Sequence, residues 1–155
     1  IYDDANAVYV EVPEEWSEVD GSNWIASEDG TLRGSSLVAS PNISGLKSDL
    51  TTPGVEILAS AELGGQDMAQ LVGAVDFSID CNRVGQYRYE DGVYAGIYDR
   101  YNCIGGGSHI LVLAAQPADQ TYAVIVLIQT AAEAEQEVVD HILATFNVVD
   151  ALPGQ

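Results

Sequence analysis

Ser108-His-Ile-Leu-Val-Leu-Ala-Ala115, Gln116-Pro-Ala-Asp-Gln120, Thr121-Tyr-Ala-Val-Ile-Val-Leu-Ile128 and Thr130-Ala-Ala-Glu133 follow one another closely, and their order decides the fold class. The first run is apolar and short. The second supplies turn chemistry, because Pro117 fixes φ and lacks an amide donor while Asp119 can bond its own backbone. The third is so rich in β-branched residues that both of its faces must be covered, which makes it a central strand. Thr130 and Glu133 have the spacing of a capping box and predict a helix start. A helix over 131–146 then places Val138, Val139, Ile142, Leu143 and Phe146 on one stripe, with acidic and amide side chains elsewhere. Strand, turn, strand and amphipathic helix together give an α+β domain with that helix packed on the hairpin.

At 155 residues the chain is expected to be a single globular domain, 1–155, excised from or related to a larger secreted protein. The hydrophobic fraction of 47% is enough for a sizeable core. Five basic against 24 acidic residues give a formal net charge of -19. A polyanionic partner would be repelled, so the composition excludes nucleic acid and argues against an anionic membrane surface. No apolar run reaches the length of a spanning helix. Ile1-Tyr-Asp-Asp-Ala-Asn6 lacks the features of a signal peptide and reads as a mature terminus or a boundary within a larger protein. The acidity fits salt adaptation, solubility after secretion, or cation binding.

Cys81 and Cys103 are the only cysteines. An even count without a metal-ligand spacing suits one disulfide, and hence an oxidising compartment outside the cytoplasm; the alternative is two unrelated buried thiols. Between them, Gln86-Tyr-Arg-Tyr-Glu90 and Tyr94-Ala-Gly-Ile-Tyr98 flank Asp91-Gly92, a hairpin signal, so a bond would tie the open ends of that hairpin together. Five of the eight tyrosines lie in this region. Upstream, Ala7-Val-Tyr-Val-Glu-Val12 alternates like a half-buried strand ended by Pro13, and Trp16 is expected to cover the edge of the core. Ser36–Ser40 and Gly54–Ser60 read as strands, 41–50 as a short helix or irregular turn, and 66–75 as a short helix. The whole is expected to be an antiparallel sheet of about six strands, with the long carboxy-terminal helix and shorter helices on it.

A nucleophile needs a base within hydrogen-bond reach, and the sequence has two histidines to supply one. His109 starts a strand and His141 sits midway along the amphipathic helix, and neither spacing marks a nucleophile's base. Gly105-Gly-Gly-Ser108 lacks the lysine of a phosphate loop and leads into a strand. Adjacent acids are too numerous to single out a glycosidase pair. No catalytic residue, cofactor or metal ligand is assigned. Calcium is the one ion the loops could take, at Asp20-Gly-Ser-Asn23 and Glu28-Asp-Gly30, although ordinary acidic turns have the same composition.

Tyr9-Val-Glu-Val-Pro-Glu-Glu-Trp16, Thr52-Pro-Gly-Val55, Asp76-Phe-Ser-Ile-Asp-Cys81, Tyr89-Glu-Asp-Gly-Val-Tyr-Ala-Gly-Ile-Tyr98 and His141-Ile-Leu-Ala-Thr-Phe-Asn-Val148 resemble the accessory domains found beside secreted bacterial trypsin-like or HtrA-like serine proteases. The pattern is also similar to the broader PsbP-like α/β/α fold. The resemblance implies a non-catalytic, secreted interaction module whose partner is a protein or a neighbouring protease domain, and it transfers no catalytic residue. A secreted small-ligand or calcium-binding protein is the alternative. Trp24, Tyr94 and Tyr98 are the aromatic side chains expected to form an interaction surface.

Overall fold

The computed structural model describes residues 1–25, 33–103, 108–131 and 136–149. Its centre is an antiparallel sheet built from β2 (Glu18–Asp20), β4 (Arg33–Ser40), β5 (Gly54–Ser60), β9 (Ala123–Thr130), β8 (His109–Pro117), β7 (Tyr94–Cys103) and β6 (Cys81–Glu90), in that spatial order. A further short strand, β3 (Trp24–Ile25), also pairs with β4. The run from β6 to β9 is a meander, and β9 closes against β5 from Gly54↔Gln129 to Ser60↔Ala123. β9 is therefore central, as its β-branched composition requires.

The sheet has more strands than expected because the acidic stretch before β4 supplies an edge. β2 and β3 keep a common register on β4, interrupted at 21–23. Gly21 turns its carbonyl to the amide of Asp4 instead, at 2.9 Å. A Cβ at Gly21 would lie 2.7 Å from Asp3 Cα, so only glycine allows the amino terminus to approach so closely.

Two apolar layers cover the sheet. On one face, Leu37, Ile57, Leu113 and Val126 meet Val8, Val10, Trp16, Val139, Ile142 and Phe146. On the other, Val112, Ala114 and Ile125 meet Met68, Leu71 and Val72 of α2 (Met68–Gly73). Asp67 caps α2 by accepting from the amide of Ala69 at 2.9 Å. Asn42 caps α1 (Ile43–Ser48) in the same way, accepting from Gly45 at 3.0 Å. Trp16 is buried as anticipated.

Two expectations are corrected. The carboxy-terminal helix is short: α3 spans Gln136–Thr145, not 131–146. Thr130 does not cap it, because it is the last residue of β9 and pairs with His109. The ladder takes its backbone groups, and a β-branched side chain suits a strand; Glu133 lies outside the described residues. The predicted stripe is nevertheless the buried one, with Val139, Ile142 and Phe146 in the core. The second correction concerns 7–12. Only β1 (Val8–Tyr9) is a strand, and it pairs with β10 (Asn147–Val148) rather than joining the main sheet. Ala7, Val8 and Val10 all bury, so this segment lies over the sheet and serves as part of the cover.

Asp3 fixes that cover. Its Oδ1 accepts from the amides of Ala7 at 2.7 Å and Val8 at 2.8 Å, while the buried Oδ2 has no protein partner. Replacing Asp3 by alanine strands two buried donors and should cost about 2 kcal/mol, read as a lower denaturant midpoint at unchanged slope. A midpoint equal to wild type would show that the amides find other partners.

Candidate functional site

The functional candidates gather on the β6–β7 hairpin and the strand ends beside it. The turn forms as its sequence demands: Gly92 has φ +91, and Asp91 Oδ1 accepts from Val93 at 2.9 Å and Tyr94 at 2.7 Å. Both strands are ten residues long, so the hairpin reaches further than its tyrosine-rich tip. At the open end Cys81 and Cys103 face each other across the ladder, with Cα atoms 4.0 Å apart, and form a disulfide. Both cysteines are buried, beside Tyr101, whose ring meets Phe77 edge-on at 5.8 Å.

β6 is the last strand of the sheet, so one side of it has no pairing strand among the described residues. The register slips between Arg83 and Gly85, and the bulge leaves Val84 53% exposed. Arg83 bonds the buried carboxylate of Asp99 at 2.9 Å, and Gln86 reaches the same oxygen at 3.0 Å. Tyr87 is 41% exposed and stacks on Tyr98, with ring centroids 5.1 Å apart. From Cys81 to Tyr89 the strand carries two arginines, Arg83 and Arg88, and no acid. With Arg100 on β7, three of the five basic side chains of the whole protein lie on this hairpin.

A cleft of about 390 Å³ opens beside β6, between the ends of β7, β8 and β9 and the start of α3. Strand register builds it. Arg100, Leu111 and Ile128 form one row across β7, β8 and β9, and Asn102, His109 and Thr130 form the next. His109 Nδ1 and Asn102 Oδ1 are 2.7 Å apart. Arg100 donates to Gln136 Oε1 at 3.0 Å, and Gln136 donates on to Asp140 at 3.0 Å. Thr130 lies opposite His109 in the ladder, yet the imidazole is hydrogen-bonded to the Asn102 amide and not to the Thr130 hydroxyl.

The three aromatic side chains singled out from sequence do not share a surface. Tyr94 is 2% exposed, which corrects its assignment to an interaction surface. Its ring stacks on Phe146 at 5.1 Å, and its hydroxyl meets Tyr122 and Asn147. Burial, and then the bond to Tyr94, push the phenol of Tyr122 to a higher pKa. Trp24 is half-buried against the second apolar layer, and Tyr98 is half-buried beneath Tyr87. Tyr87, the outer ring of that stack, was the residue missed. Its place follows from the position of β6 at the sheet edge, which local sequence does not encode.

His141 is exposed, 3.8 Å from Glu11. The carboxylate of Asp20 is taken by the amide and hydroxyl of Ser22, at 3.0 and 2.7 Å, and Glu28-Asp-Gly30 lies outside the described residues. Among the described residues no three His, Cys, Asp or Glu side chains converge as a metal set, and no helix is long and apolar enough to cross a membrane.

No protein-family model matches the sequence, and no curated protein does. Among solved structures, the fold is similar to the solution structure of cyanobacterial PsbP (CyanoP) from Synechocystis sp. PCC 6803, with a TM-score of 0.54 at 10% identity, covering 96% of this chain and 91% of that one. A crystal structure from Bacteroides thetaiotaomicron aligns with a TM-score of 0.35 at 13% identity, over 96% of this chain and 50% of that one, too distant to carry an argument. A twisted antiparallel sheet covered on both faces, with the meander at one side, is thus a PsbP-like α/β/α sandwich, and the likeness extends to the fold alone.

Proposed function

We propose that this chain is a non-catalytic interaction module that works outside the cytoplasm and takes an extended, acidic segment of a protein partner along the free edge of β6. The observation that carries the reading is charge placement: a chain of net charge -19 puts no acid on the largely exposed run from Asn82 to Tyr89, where Arg83 is paired with Asp99 and Arg88 is exposed. An added strand gains main-chain hydrogen bonds from the edge and selectivity from alternate side chains. At physiological salt, screening over about 8 Å lets these local charges outweigh the distant acidic surface. The arginines and the bulge also oppose pairing with a second copy, whose edge would bring arginine towards arginine.

The disulfide supports an oxidising compartment. The resemblance to domains beside secreted serine proteases supports a protease as the polypeptide that supplies the docked segment, in the same chain or a separate one. A full-length gene product with no protease domain, from a genome with none nearby, would count against that part.

The test uses two synthetic peptides of alternating valine, one with glutamate and one with lysine at the intervening positions. The acidic peptide is expected to bind with a dissociation constant below about 1 mM, and the basic one at least about tenfold more weakly. Arg88→Glu should remove the preference. Equal binding of both peptides, or self-association of the chain through β6 on sedimentation, would overturn the proposal.

A further inference from the structure

We infer that the cleft beside β6 is a binding site for a small organic anion with a planar, apolar body. This goes beyond strand docking, and stands whether or not a peptide adds to the edge. Its floor is apolar, formed by the buried Leu111, Ile128 and Val139. Its rim is polar, formed by Asn102, His109, Thr130 and Gln136. None of the described residues lining the cleft is a carboxylate, although the chain has 24 acids, and Arg100 stands at its wall.

The donors are placed by the sheet. Asn102, His109 and Thr130 stand side by side on three neighbouring strands, about 4.8 Å apart. His109 Nδ1 engages the Asn102 carbonyl oxygen, which fixes that amide and keeps its nitrogen as a donor. Gln136 holds one nitrogen of Arg100, which orients the guanidinium and leaves its other N–H groups for a forked contact with an anion. Tyr87, stacked on Tyr98, adds an aromatic wall against which a flat body can lie. A volume of about 390 Å³ is that of a small-molecule site.

The experiment is an NMR titration of the isotope-labelled chain with benzoate, phenyl phosphate and neutral benzamide. Both anions should shift resonances of Arg100, Asn102, His109 and Thr130 saturably, and benzamide should bind at least about tenfold more weakly, since it lacks the charge-assisted bonds. Arg100→Gln should bring benzoate down to the level of benzamide. Tyr87→Ala should weaken all three probes alike. Should Arg100→Gln lose its dispersed spectrum, the anion-to-benzamide ratio in wild type and the Tyr87→Ala comparison decide the matter. Equal binding of benzoate and benzamide, shifts centred elsewhere, or no saturation by either anion would overturn the inference.

Discussion

Replacing Cys81 and Cys103 together by serine is expected to lower the unfolding free energy by about 3 kcal/mol, the chain-entropy value for a loop of this length. The two residues are 22 apart in sequence and directly opposed in the β6–β7 ladder, so the bond removes open-hairpin states from the unfolded chain. It does so at the edge of the sheet, where, among the described residues, β6 has a neighbour on one side only. Both sulfurs also bury in the second apolar layer, and serine hydroxyls there add a desolvation cost. For a domain of this size the loss corresponds to a fall in Tm of roughly 10 °C. Adding a reductant to wild type should reproduce the shift, and calorimetry reads both. A change within about 0.5 kcal/mol would mean that the ladder alone closes the hairpin.

Tyr94→Phe should cost about 2 to 3 kcal/mol, a large effect for the loss of one oxygen. The Tyr94 hydroxyl donates to Asn147 Oδ1 at 2.9 Å and accepts from the amide of Val148 at 3.1 Å, which leaves it to accept from the Tyr122 hydroxyl at 3.0 Å. One donor and two lone pairs are then all used. Phenylalanine leaves the backbone amide of Val148 and the side-chain Oδ1 of Asn147 without this partner, and both residues belong to β10, which closes the amino-terminal cover through β1. Tyr94→Ala adds a cavity beside Phe146 and should cost about 5 kcal/mol. Denaturant titration measures both, and faster amide exchange at Val148 in Tyr94→Phe would trace the loss to β10. Unchanged exchange there would break the proposed link.

These two sites also show what was legible in the sequence and what was not. The cysteine pair could be read because a hairpin signal lay between two half-cystines, and local turn chemistry brings their strands into register. The paired runs before and after Asp119, the Gly54–Ser60 strand and the stripe on α3 were legible for the same reason, since period and turn residues are local. Tyr94 was misplaced because its burial comes from Phe146 and Tyr122, partners far away along the chain. Thr130 looked like a cap because Glu133 follows it, but pairing with β8 overrode that local preference. The cleft was illegible altogether. His109 gave no signal as a strand-start residue, and only the registers of β7, β8 and β9 set it between Asn102 and Thr130.

The measurement that bears most directly on the account is amide hydrogen exchange along β6, from Cys81 to Glu90, with and without the glutamate–valine peptide. Amides of an unpaired edge exchange fast unless a strand is added. Alternate amides of Gly85–Glu90 should become protected when the acidic peptide binds, with little change on β2 at the opposite edge. Peptide binding that leaves β6 exchange unchanged, or protects β2 instead, would contradict it.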